Sequence, residues 1–263
     1  MLRTAAILLM PATLGIVGGC SKPDSPESSV APAQTEAPAV QADARPGQAD
    51  AMVGVETFRA TGNEPGWRLD IGPSEMVLLT DLGQTRTVAA TAPPQAMNGV
   101  KQYTARTDGG EIVVSIADEL CRDSMTGMPY PNTVTVVFEG TSLAGCGGDP
   151  ASLPHGSEWI IDDIAGASVV KGSRVSLEFG PEGHVSGNSS CNRYTTQYTL
   201  SGEGLTIAKG AGTRMMCDPP LMEQERTFLD ALSTVNAFDL AADGALVLTT
   251  ADGRTIRARR GEV

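Results

Sequence analysis

Aromatic side chains make up only 4% of this 263-residue chain, two Trp, four Tyr and five Phe. Cores built from so few large rings bury a modest fraction of surface, so any small domain here would profit from a crosslink. Histidine is scarcer still, with His155 and His184 alone and no motif around either. Zinc wants three or four ligands at recognisable spacing, which leaves no metal site to expect. A Cys or Ser nucleophile needs a positioned base, usually His, and none lies near a candidate. Asp162-Asp163 has no third acid at calcium-loop spacing. Phosphate loops, dinucleotide fingerprints and Gly-x-Ser-x-Gly elbows are missing. Glu64, Asp118, Glu119 and Asp123 could supply a carboxylate pair, but scattered acids are the background of so acidic a chain. No catalytic residue and no cofactor is expected, and an enzyme is disfavoured. Positive charge is short as well: 19 Lys and Arg against 31 Asp and Glu give a net charge of -12. That balance repels nucleic acid and anionic head groups and promotes solubility. The apolar run from Ala5 to Val17 is too short for a permanent membrane span.

What is present is a partitioned set of five cysteines. Cys20 stands alone near the start, Cys121 and Cys146 share one half of the chain, and Cys191 and Cys217 share the other. In an oxidising compartment, two cysteines within one small exported domain are expected to be bridged, which gives two pairs and one special residue.

The first residues read as an export signal. Arg3 supplies a charge, Ala5 to Val17 the apolar core, and Val17-Gly-Gly-Cys20 a small-residue cleavage region. Residues 1–19 form the expected signal peptide. Val17 to Cys20 resembles a bacterial lipobox, which implies a lipidated Cys20 (palmitate being the usual fatty acid), anchored stably by several acyl chains at about 0.8 kcal/mol per buried methylene. The alternative is an ordinary secretory signal with an incidental cysteine. Ser21, rather than Asp, stands after the cysteine, and by resemblance to sorted lipoproteins this implies the outer membrane, facing the periplasm. Residues 20–52 are rich in Ala, Pro, Ser, Gln and acids, with Pro23, Pro26, Pro32, Pro38 and Pro46 too close together for a helix. The expected result is a disordered tether, serving either reach toward a partner or spacing.

From residue 53 to 150 the period is two. Trp67, Leu69 and Ile71 alternate with Arg68 and Asp70, and the same holds for Ile112, Val114 and Ile116 and for Val134, Val136 and Phe138. Gly72-Pro73, Pro93-Pro94, Asp108-Gly109-Gly110 and Gly145 to Gly148 punctuate these strands, and no helical stripe interrupts them. An antiparallel sandwich or barrel is expected.

Residues 154–260 read as a second β-rich unit with one helix. Trp159 to Ile161, Val175 to Phe179, Tyr198 to Leu200, Leu205 to Ala208, Phe238 to Leu240, Ala245 to Thr249 and Thr255 to Arg259 carry strand patterns. Asp243-Gly244 and Asp252-Gly253 mark hairpins. The helix starts at Asp218 and Pro219, with Leu221, Met222, Phe228, Leu229 and Leu232 as its apolar stripe and Glu223 and Glu225 near the positive end of its dipole. The predicted fold is mainly β (β-rich α+β): two small antiparallel sandwich- or barrel-like domains, the second with one packed helix. The two units are expected to melt separately.

The stretch Val185-Ser-Gly-Asn-Ser-Ser-Cys191-Asn-Arg-Tyr194, followed by Thr213-Arg-Met-Met-Cys217, resembles the signature of the META domain, the HslJ-like family. Gly187, Cys191, Asn192, Tyr194, Thr213, Met215 and Cys217 stand in the family's places, whereas Ser190 and Thr196 replace its usual glycines. The stretch Phe58 to Trp67, with Cys121 to Pro131 and Gly145-Cys146-Gly147, resembles an uncharacterised bacterial envelope domain that often accompanies such modules. The resemblance implies an envelope lipoprotein with a non-enzymatic binding or structural role in envelope maintenance or stress resistance. The alternative is an inhibitor or chaperone-like partner of a periplasmic or cell-wall protein such as a hydrolase. Asn192, Arg193, Tyr194, Arg214 and Met215 are the candidate binding surface. The competing reading has Asn192 satisfying backbone groups beside the disulfide while Tyr194 packs.

Overall fold

The computed structural model describes residues 57–261. The expected signal peptide, Cys20 and the Pro-rich tether lie outside the described residues, as do residues 53–56 of the first unit.

Residues 58–147 supply β1 (Phe58–Asn63), β2 (Gly66–Ile71), β3 (Glu75–Thr80), β4 (Thr85–Ala90), β5 (Gln95–Met97), β6 (Val100–Thr107), β7 (Gly110–Ala117), β8 (Cys121–Arg122), β9 (Pro129–Tyr130), β10 (Asn132–Phe138) and β11 (Thr141–Gly147). Nine of them form one antiparallel sheet in the order β4-β3-β2-β1-β11-β10-β7-β6-β5, while β8 and β9 pair only with each other. Alternation explains the sheet. Trp67, Leu69, Ile71, Met76, Leu78, Ile112, Val114, Ile116, Val134 and Val136 all point inward and are buried, with Phe138 half-buried at the margin. The Trp67 indole reconciles its burial with its polar N–H by donating to the Ala144 carbonyl at 3.2 Å. No α-helix occurs in this module among the described residues.

After a short connector, the second module supplies β12 (Glu158–Ile164), β13 (Ala167–Ser168), β14 (Arg174–Phe179), β15 (His184–Ser190), β16 (Arg193–Ser201), β17 (Gly204–Ile207), β18 (Ala211–Gly212), α1 (Pro219–Leu232), β19 (Val235–Leu240), β20 (Leu246–Thr250) and β21 (Thr255–Arg260). The main path runs β17-β16-β15-β14-β12-β21-β20-β19, with β13 on β12 and β18 on β16. The two ends of this path meet. A Cβ at Gly204 on β17 would fall 2.2 Å from the Asn236 carbonyl on β19, so glycine lets the sheet curl into a barrel-like form. The Asp243-Gly244 and Asp252-Gly253 turns join β19 to β20 and β20 to β21, with both glycines at positive φ, +79° and +83°.

Inside lie Trp159, Ile161, Leu177, Phe179, Tyr194, Leu205, Leu246, Leu248 and Ile256, against which α1 presents Phe228, Ala231 and Leu232. The helix begins where the sequence placed it, at Pro219 after Asp218. Two expectations about it change. The Asp218 side chain makes no capping bond, its carbonyl instead accepting from the Leu221 and Met222 amides. Met222 is exposed rather than part of the stripe, because the buried face has turned to Phe228, Ala231 and Leu232.

The two sheets keep separate cores but belong to one compact unit. Met128, from the β8–β9 hairpin of the first module, is 5% exposed and packs in the core of the second, with Tyr130 and the connector residue Leu153 beside it. Independent melting of the modules is therefore no longer the expectation, since unfolding either one exposes apolar surface of the other.

Candidate functional site

The signature residues converge where the β15–β16 turn meets the start of α1. Strands β15 and β16 pair with Gly187 opposite Tyr194 and Asn188 opposite Arg193. Gly187 is required by close approach: a Cβ there would lie 2.0 Å from the Ser176 carbonyl of β14. At the turn, Cys191 is bridged to Cys217, just before α1, with Cα atoms 6.1 Å apart. Cys121 is likewise bridged to Cys146 in the first module, Cα atoms 5.4 Å apart.

Asn192 is the hub. It is 4% exposed, and every polar atom it carries has a partner. Its side-chain oxygen accepts from the Met215 amide at 2.7 Å and the Thr213 hydroxyl at 2.8 Å. Its side-chain nitrogen donates to Glu225 Oε1 at 2.9 Å and, at 3.4 Å, to the Met215 carbonyl. Its own amide donates to Glu225 Oε2 at 2.8 Å, while its carbonyl accepts from the Ser189 amide at 2.7 Å. Ser189 completes the ring: its hydroxyl lies 2.8 Å from Glu225 Oε2 and 2.9 Å from the Asn192 carbonyl, so one proton is shared between two acceptors. The Thr213 hydroxyl also accepts from the Arg193 amide at 3.2 Å. A buried polar network of this kind is costly if partly satisfied and rigidifying when complete.

Glu225 is the residue that local reading missed. Its position in the helix suggested an acid favoured by the dipole, whereas its carboxylate clamps the turn 33 residues upstream. The preceding residue, Gln224, does the same for another loop. Its carbonyl side accepts from the Val170 amide at 2.6 Å, and its nitrogen donates to Ser173 at 2.8 Å and Ser190 at 3.0 Å. Ser190, where the family usually has glycine, sits at φ +101°, a region costly for a side chain and held here by Gln224 and the flanking disulfide. Thr196, the other departure from glycine, uses its hydroxyl to hold the Ala208 carbonyl at 2.6 Å.

Tyr194 is 4% exposed. Its hydroxyl donates to the Ser176 carbonyl at 3.1 Å, its ring meets Phe228 edge-on at 5.6 Å, and burial pushes its phenol well above its ordinary value. Asn192 and Tyr194 thus take no part in the outer surface, because their polar atoms are committed inward. The remaining candidates face solvent. Arg193, Arg214, Met215 and the neighbouring Met216 are exposed, Met216 at 95%. The loop carrying them is held at Thr213 and Met215 by Asn192 and at Cys217 by the disulfide, so its outward side chains project from a fixed backbone.

His155 and His184 lie apart from this site, His155 bonding the Tyr198 hydroxyl at 2.5 Å. Among the described residues no group of three or more His, Cys, Asp or Glu side chains is placed to hold a metal ion.

Comparison with known proteins places the same segment. The family model of the META domain matches residues 151–262. An NMR structure of a protein from Burkholderia xenovorans is 25% identical, over 43% of this chain and 87% of that one, with a TM-score of 0.37. A second NMR structure is 31% identical, over 43% of this chain and 94% of that one, with a TM-score of 0.35. No curated protein matches. The Cys191-Asn192 turn, the Thr213 to Cys217 loop and the packed helix all lie inside the segment that matches the META domain family, residues 151–262.

Proposed function

We propose that this chain is a lipoprotein of the bacterial cell envelope, anchored by Cys20 in the outer membrane and facing the periplasm, that works by binding rather than by catalysis. Its role is envelope maintenance or stress resistance. The observation that supports this reading is the commitment of the signature. The polar groups of Asn192, Thr213, Ser189 and Glu225 are spent on one another, which is the arrangement of a fastener and leaves none of them free to act on a substrate. What the fastener presents outward is a fixed loop bearing Arg214, Met215 and Met216 beside Arg193.

That loop also favours a more specific reading, an inhibitor or chaperone-like partner of a periplasmic or cell-wall protein. Methionine thioethers adapt to irregular apolar pockets, and flanking arginines suit a carboxylate rim. A loop already fixed loses little entropy on docking.

The anchor is tested by Cys20→Ala. The unsubstituted chain should partition into the detergent phase and fractionate with the outer membrane, and the variant should appear in the aqueous phase. Membrane fractionation of Cys20→Ala at the normal level would overturn the lipid anchor.

A further inference from the structure

Strands β8 and β9 pair only with each other and with no strand of the first module's nine-stranded sheet. Their hairpin is nevertheless built firmly. At its base Cys121 is bridged to Cys146 on β11. Its turn is closed by Asp123, whose carboxylate accepts from the Thr126 amide at 2.8 Å, the Thr126 hydroxyl at 2.9 Å and the Met125 amide at 3.1 Å. Asn63 at the end of β1 reaches over to Asp123 at 2.8 Å and Ser124 at 2.9 Å, tying the turn to the first module. Burial pulls the Asp123 carboxyl upward, but these hydrogen bonds outweigh it and hold the group below its ordinary value.

Arg122, Met128 and Tyr130 of the hairpin turn to the other module. Arg122 donates to Asp239 at 2.9 Å and to the Leu240 carbonyl at 2.9 Å, both on β19. Strand β9 lies against β19, Tyr130 packs on the second core, and Met128 is buried within it. Met125 at the tip of the same hairpin remains 79% exposed. The contrast is specific: one methionine of the hairpin is a core residue of a sheet to which it does not belong, and the other is free in solvent.

We infer that the β19 side of the META barrel is a docking socket whose ligand is the first module's own hairpin, Cys121 to Tyr130, with Met128 as the inserted side chain and Arg122 as the outer latch. The first module then has a role of its own: it completes the core of the second and holds it from one side, as α1 and the Cys191–Cys217 bridge hold it elsewhere. This goes beyond the envelope role and does not depend on the anchor.

Amide hydrogen exchange on the folded chain, followed by mass spectrometry, tests it. Met128→Ala should accelerate exchange in β19 and β20, more than 100 residues downstream, and lower the melting midpoint by about 4 to 15 °C. Met125→Ala should leave both unchanged. Exchange that rises only within residues 121–130, or a Met128→Ala variant indistinguishable from Met125→Ala, would overturn the socket. Should Met128→Ala not fold, Arg122→Gln, which removes the bonds to Asp239 and Leu240 at an exposed position, gives the same contrast: faster exchange along β19 supports the docking, and none refutes it.

Discussion

Replacing Glu225 by Gln alters no volume, yet it should be among the most damaging conservative changes in the chain. The carboxylate accepts three hydrogen bonds, from the Asn192 amide and the Ser189 hydroxyl on Oε2 and from the Asn192 side chain on Oε1. A glutamine keeps one oxygen and must point an NH2 at a donor. If the nitrogen takes the Oε1 place it meets the Asn192 side-chain nitrogen, and turning that side chain over to receive it breaks the bonds from Thr213 and the Met215 amide. If it takes the Oε2 place it faces the Asn192 backbone N–H. Either way at least one charge-assisted bond is lost and the others become neutral, a cost of about 2 to 4 kcal/mol. That is a large share of the roughly 5–15 kcal/mol that holds a domain together. The two tryptophans provide the assay, since Trp67 reports the first core and Trp159, fully buried, the second. Urea unfolding followed by tryptophan fluorescence should show a lower midpoint with an unchanged slope. Glu223→Gln is the control: Glu223 pairs with Arg226 on the exposed face of the same helix, where solvent screens the pair, and its loss should leave the midpoint unmoved. A Glu225→Gln variant as stable as Glu223→Gln would refute the clamp.

Two further perturbations probe the same region. Cys217→Ser opens a loop of sequence separation 26, worth about 3.5 kcal/mol in the chain-entropy model, and because Met128 couples the modules the Trp67 transition should move with that of Trp159. Separate transitions, with Trp67 unmoved, would contradict the coupling. Tyr194→Phe leaves the Ser176 carbonyl without its donor and should cost about 1 to 2 kcal/mol near neutral pH. The phenol is raised in the folded state, so its contribution is intact below the unfolded value of 10.0 and is lost as pH climbs above it, by about 1.4 kcal/mol per pH unit. Alkaline unfolding curves of Tyr194→Phe should therefore be flatter above pH 10 than those of the parent chain.

Much of the architecture was legible because it is local. Alternation in Trp67 to Ile71 and Ile112 to Ile116 states which side chains face inward, and Asp-Gly pairs state where a hairpin closes, without knowledge of the rest of the chain. The start of α1 was legible for the same reason, Pro219 being fit for a first turn. What stayed hidden depends on partners far away in sequence. Glu225 looks like any acid in the first half of a helix until the fold brings Asn192 and Ser189 to it, and no helical periodicity carries that fact. Met128, between Gly127 and Pro129 in a turn-rich stretch, reads as loop, and its burial is decided by the neighbouring module. Met222 fits an apolar stripe by spacing but falls at its edge, where the first turn of α1 leaves the barrel. At Asn192 and Tyr194 the structure selects between the two readings left open by the sequence: both residues hold the turn from inside, and Arg193, Arg214, Met215 and Met216 are the ones that face solvent.

Whether the chain acts by binding through that loop is tested most directly by a photoreactive residue placed at Met216 in living cells, compared with one at Met97, another exposed methionine, on β5 of the first module. Irradiation should give a discrete adduct of defined mass from position 216, lost when Arg214 is also changed to Glu, and no such adduct from position 97. Adducts from position 97 and none from 216, or an adduct at 216 indifferent to Arg214→Glu, would contradict the assignment of the META loop as the contact surface.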